Sequence, residues 1–134
     1  MIVDSPYGRL LGLLTEEVAE DRVRVRLPFR DDVTTVGEMV HGGAVASLVD
    51  VAATAAGWAT PGAGPGARGT TVGFSRNFLA AALGSDLVAD ARVTRRGGTL
   101  HFIEVSVSDR AGVETARALV TYKLSLAKEQ AGNP

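Results

Sequence analysis

The sequence predicts an α+β domain in which one long helix is covered by an antiparallel sheet of five strands. Three observations carry this reading. The run Gly42 to Ala59 is small or apolar nearly all round, as expected of a helix enclosed on most sides. One strand-like run precedes it and four follow it. No further helical pattern separates those four, and a run of strands beside a single helix indicates α+β. The 134 residues suit a single domain, 1–134, with its core between about residues 8 and 126.

The elements follow in order. Residues up to about Leu14 read as a loop or short helix leading into the domain. Val18 to Leu27 reads as one half-buried strand: Val23, Val25 and Leu27 fall on one face, Arg22, Arg24 and Arg26 on the other, and Pro28 ends it. "FRDDVTTVGEM" is polar and irregular. The helix comes next, and "GAGPGARG", Gly62 to Gly69, is a loop. Thr70 to Phe78, Asp86 to Arg96, Leu100 to Ser108 and Glu114 to Leu126 are strands, with turns at "RRGGT" and "DRAG". In the last of them Ala116, Ala118, Val120, Tyr122, Leu124 and Leu126 share a face, with Arg117 and Lys123 opposite. The tail 127–134 is expected to be flexible.

Composition narrows the function. A net charge of −1 leaves no basic excess to neutralise phosphates, which argues against nucleic acid as a partner. The absence of cysteine excludes disulfides, thiolate metal sites and Cys nucleophiles, and fits a reducing cytoplasm. The N-terminus does not read as a signal peptide, and no apolar run reaches the ~20 residues of a membrane span.

The helix carries the chemistry. Residues three and four apart share a helix face. The face through Asp50 holds Gly43, Ala46, Ser47, Ala53, Thr54 and Gly57, a furrow of small residues with one carboxylate on its floor. The opposite face, Val45, Leu48, Val49, Ala52, Ala55, Ala56 and Ala59, is core. A partly desolvated carboxylate in a narrow furrow is a candidate base or nucleophile. The same face would also serve a helix–helix contact, with Asp50 bonded to Ser47 or Thr54. Gly42 and Gly43 open the helix, where N–H groups lack intrahelical partners and glycine admits a ligand oxygen. Such donors polarise a carbonyl, although a Gly-Gly turn into a helix is also common. His41 can orient the loop, cap the helix or touch the ligand. Asp50 lies eight residues beyond Gly42, about 12 Å along the axis, too far for both to serve one carbonyl in one chain. Two chains related by a twofold axis can unite them, so the mechanism carries an oligomer expectation.

His41-Gly42-Gly43, six residues, then Asp50, in this order of elements, resembles the hot-dog-fold acyl-CoA thioesterases (the 4-hydroxybenzoyl-CoA thioesterase superfamily), and within them the phenylacetyl-CoA thioesterase type. "TTVGFSRNFLAAA" resembles that family's strand after the helix, and "ARVTRRGGTLHFIEVSVSD" its next hairpin. The resemblance implies a curved antiparallel sheet of five to six strands wrapped around the helix, a homodimer built by pairing sheets, and its extension to a homotetramer as a dimer of dimers. It implies no cofactor and no metal. Asp50 would be base or nucleophile, and the Gly42 N–H would polarise the thioester carbonyl from the partner subunit. His41 would organise the loop, and Thr71 would position water or the Asp. Thr35 stands where many relatives carry Asn or Gln. Gly43, Ser47 and Thr54 would line the substrate furrow. Arg95, Arg96, Gly97 and Gly98 would lie near the mouth, where CoA phosphates rest. Ala81 replaces the usual Pro after the strand.

The expected function is therefore hydrolysis of an acyl-CoA thioester to free acid and CoA. The alternative is an acyl-CoA-binding or sensing protein of the same fold without turnover, motivated by Thr35.

Overall fold

The computed structural model describes residues 2–126. The flexible tail expected at 127–134 lies outside the described residues. Ser5 opens α1 (Pro6–Leu11) by accepting from the Gly8 N–H, and Gly12, at φ +73°, ends it. Six strands follow, β1 (Leu14–Ala19), β2 (Arg22–Leu27), β3 (Arg68–Phe78), β4 (Leu87–Arg96), β5 (Leu100–Ser108) and β6 (Glu114–Ser125). Between β2 and β3 runs α2 (Gly42–Trp58).

The expected first strand is in fact two. The chain turns over Glu20 and Asp21, with Asp21 in the left-handed region at φ +63°, so β1 and β2 form a hairpin. No glycine marks this turn, so nothing in the local sequence separates it from a continuous strand. Asp21 is held by its surroundings: its N–H donates to Ala59 O and its carbonyl accepts from Val93 N–H.

The six strands make one antiparallel sheet in the order β1-β2-β4-β5-β6-β3. β3 does not pair with β4, its successor in sequence. It crosses to the far edge and pairs with β6, Thr71 opposite Tyr122 and Phe78 opposite Ala116. The curved sheet wraps α2, which touches β2, β3, β4, β5 and β6. Period-two alternation supplies the sheet's contribution to the core: Val23, Val25 and Leu27 from β2, Ile103, Val105 and Val107 from β5, and Ala116 through Leu124 from β6. Of the expected core face, Val45, Leu48, Val49, Ala52, Ala55 and Ala56 are buried and Val51, Ala53 and Gly57 join them, whereas Ala59 is the half-buried C-cap beyond the end of the helix. This is the predicted α+β architecture. Among the described residues no helix is long and apolar enough to cross a membrane.

Both sheet edges are open. β1 is short and bears Glu16 and Glu17, which blunt an edge. β3 is 11 residues long and mostly exposed.

Candidate active site

α2 carries two separate clusters, one at its N-terminus and one at its middle. At the N-terminus His41 is the helix cap. Its Nδ1 accepts from the Gly43 N–H at 2.7 Å, and its carbonyl accepts from Ala44 and Val45. The ring therefore closes one free donor and leaves the Gly42 N–H without an acceptor among the described residues. Gly42 lines a cavity of about 370 Å³ together with Thr35, Met39, Val40, Val45, Phe78–Ala82 and Thr115. A Cβ on Gly42 would lie 3.4 Å from the Phe78 ring, so glycine leaves the space at this donor open. Thr35 shares the cavity with Gly42, and its own N–H donates to Met39 O.

Two turns along, Asp50 is half-buried on the furrow face. Thr71 of β3 donates to its Oδ1 at 2.7 Å, a bond that spans 21 residues of sequence. Among the described residues Oδ2 has no partner. The alternatives read from the helix, Ser47 and Thr54, do not bond Asp50. The Ser47 hydroxyl donates to Gly43 O at 2.9 Å and meets the Tyr7 hydroxyl at 2.8 Å. A serine has one proton, so Tyr7 is the donor in that second contact. Tyr7, from α1, thus lies over the open half of the furrow, and no local sequence signal places it there.

The furrow is not continuous. A Cβ on Gly57 would meet Tyr122 Cδ2 at 3.1 Å and Ile103 Cδ1 at 3.5 Å, so the stretch beyond Asp50 is filled by the sheet. Tyr122 is 3% exposed and accepts from Trp58 Nε1 at 2.7 Å. Burial raises its phenol above the ordinary value, the Trp58 bond opposes this, and the Asp50 charge adds to the rise. Trp58 accordingly serves the core. The open furrow runs only from Gly43 to about Asp50.

The second hairpin divides. Arg95 is exposed. Arg96 faces inward onto the chain: it donates to Asp21 Oδ1 at 2.7 and 3.1 Å and to Gly57 O at 2.9 Å, closing the C-terminal end of α2. A cation there offsets the helix dipole, and this accounts for Arg96 without a ligand. Gly97 belongs to the turn, donating to Leu100 O, and Gly98 is exposed. Among the described residues no three His, Cys, Asp or Glu side chains are grouped to hold a metal.

One chain thus brings together Asp50 with Thr71, and Gly42 with Thr35, but not the two pairs with each other. A fixed carboxylate with a free oxygen is equipped to take a proton from water or attack a carbonyl, and a free helix N–H beside an apolar cavity is equipped to polarise one.

Comparison with known proteins gives the family. The sequence profile of the Thioesterase superfamily matches residues 37–116. Human acyl-coenzyme A thioesterase 13 is 32% identical over 107 residues, covering 78% of this chain and 74% of its own. Zebra fish thioesterase superfamily member 2 superposes with a TM-score of 0.80 at 29% identity, covering 92% of this chain and 91% of its own. The E. coli PaaI protein from the phenylacetic acid degradation operon superposes with a TM-score of 0.81 over 90% of this chain and 84% of its own; at 18% identity it shares the fold. The chain belongs to the thioesterase superfamily and is a thioester hydrolase.

Proposed function

We propose that the protein is an acyl-CoA thioesterase that works as a homodimer, with Asp50 of one protomer and the Gly42 N–H of the other acting on one thioester. The separation of the Gly42 donor and the free Asp50 oxygen by two turns of one helix carries this reading. The open edge of β3 supports it. Phe78, which packs on Gly42, lies at one end of that edge. Thr71, which holds Asp50, lies towards the other. Antiparallel pairing of two β3 edges about a twofold axis brings the Gly42 end of one protomer towards the Asp50 end of its partner.

In the general-base route Asp50 Oδ2 takes a proton from water, and the water oxygen bonds to the thioester carbon. Charge grows on the carbonyl oxygen, where the Gly42 N–H and the helix dipole stabilise it. The C–S bond then breaks and the thiolate takes the proton from Asp50, leaving acid and CoA. In the nucleophilic route Oδ2 bonds the carbonyl carbon, the thiolate leaves, and water opens the resulting anhydride. Single turnover in ¹⁸O-water tests the second: where water opens the anhydride at the Asp50 carbonyl carbon, label enters the Asp50 carboxylate and the acid leaves unlabelled, whereas the general-base route labels only the acid.

The test is thiol release from a panel of acyl-CoAs by wild type, Asp50→Asn and Thr71→Val. Asp50→Asn is expected to lose about 10³-fold in kcat with the dimer retained. Thr71→Val is expected to lose about tenfold. Full turnover by Asp50→Asn would overturn the assignment.

A further inference from the structure

Arg76 stands out among the charged groups. Arg22, Arg24, Arg26, Arg92, Arg96, Arg110 and Arg117 are ion-paired within the chain. Among the described residues Arg76, like Arg9, Arg30, Arg68 and Arg95, meets no carboxylate. It is held instead by two rings, its guanidinium carbon lying 5.4 Å from the Phe74 centroid and 5.8 Å from that of Phe78. Aromatic plates on an arginine fix the planar group and leave its in-plane N–H donors available.

Its direction follows from register. Phe74, Arg76 and Phe78 pair with Val120, Ala118 and Ala116, which are buried against α2. Residues directly opposite in an antiparallel pair share a face. Arg76 is therefore on the helix side of the sheet, the side of Asp50 and Gly42, although it is exposed. The cavity that Phe78 and Gly42 share has no charged side chain in its lining.

We propose that Arg76, clamped between Phe74 and Phe78, is a binding site for an oxyanion carried by the thioester substrate, a carboxylate on the acyl group or a phosphate of the thiol carrier. A planar fork with free donors suits either oxyanion. Phe78, on which Arg76 rests, also packs on Gly42, so the anion would be held on the same side of the sheet as the proposed carbonyl donor. The inference rests on the thioesterase reading and adds a recognition element to it.

The experiment compares wild type, Arg76→Gln and Arg76→Lys on octanoyl-CoA, octanedioyl-CoA and octanoyl-pantetheine, with assembly followed by sedimentation. If the acyl carboxylate is the ligand, Arg76→Gln raises KM for octanedioyl-CoA at least tenfold relative to octanoyl-CoA. If a CoA phosphate is the ligand, KM rises at least tenfold for both CoA thioesters relative to octanoyl-pantetheine. Added salt should weaken the same substrates in wild type more than in the variant. Arg76→Lys keeps the charge without the fork and should fall between. Equal effects on all three substrates, or none, in an assembled variant would overturn the proposal. So would loss of assembly on Arg76→Gln, which would assign the guanidinium to an acid on a second copy. If wild type hydrolyses none of the three, the thioesterase reading fails separately. Thermal shift then decides the anion site: stabilisation by the CoA esters beyond that by octanoyl-pantetheine, lost in Arg76→Gln, would uphold it, and equal stabilisation would end it.

Discussion

The two ends of α2 are built from the same small residues and have opposite fates. At the C-terminal end the chain completes itself. Tyr122 lies on Gly57, Trp58 donates to Tyr122, and Arg96 closes the Gly57 carbonyl while pairing with Asp21. At the N-terminal end the chain stops short. His41 takes one N–H, and Gly42, whose N–H has no acceptor among the described residues, lines a cavity. A stripe of glycine and alanine permits close approach, but what approaches is chosen by elements far away in sequence. Where the sheet fills the stripe, it becomes core. Where the sheet leaves it, it becomes a candidate site.

Methyl groups placed at the two ends should sharpen that contrast. Gly42→Ala puts a Cβ 3.4 Å from the Phe78 ring and into the approach to the free N–H. Turnover should fall about tenfold to a hundredfold, with stability unchanged or raised, since alanine is about 1 kcal/mol better than glycine within a helix. Thiol release and urea unfolding on one preparation would check both halves. Arg96→Met should do the reverse, costing about 1–3 kcal/mol of stability by removing charge-assisted bonds, with kcat of the folded protein kept. Gly57→Ala is expected to give a smaller loss. Its Cβ would sit 3.1 Å from Tyr122, and the overpacking cost of about 1–3 kcal/mol is partly offset by alanine's helix preference. If Gly57→Ala harmed turnover more than Gly42→Ala, the assignment of the two ends would be wrong.

The smallest effect is a control outside both clusters. Asp86 accepts from the Phe29 N–H at 2.7 Å and from Arg26 at 3.2 Å. The Phe29 bond chiefly, then the cations, hold its carboxyl below the ordinary range against the cost of burial. A depressed folded value means that the stabilisation is complete above the unfolded pKa, about 4, and is lost as pH falls through the folded one. The melting temperature of wild type should therefore drop more steeply below about pH 4 than that of Asp86→Asn. Parallel curves would remove Asp86 from the account.

Much of the fold was legible locally. Alternation in β2, β5 and β6 is a property of each strand, and the enclosed α2 follows from its composition. The β1–β2 turn escaped because Glu20-Asp21 has no glycine; Asp21 holds its left-handed conformation through bonds to Ala59 and Val93. The site was half legible. Asp50, Gly42 and His41 stand out because helix spacing and helix ends follow from position in the chain. Resemblance, not spacing, pointed to Thr71, whose bond to Asp50 crosses from β3 to α2. Tyr7 and Arg76 carried no signal, since a tyrosine in a short helix and an arginine in a strand are ordinary until their neighbours are known.

The sequence by itself determined which residues could be buried, where the helix begins, and that one carboxylate lies on its small face. Those are consequences of periodicity and backbone stereochemistry, which act over a few residues. Only the tertiary structure decided that β3 crosses to the outer edge beside β6, that Tyr122 fills half of the furrow, that Arg96 serves the helix rather than the surface, and that Thr71 meets Asp50. Each depends on contacts between segments tens of residues apart, and those are set by how the sheet closes around the helix as a whole.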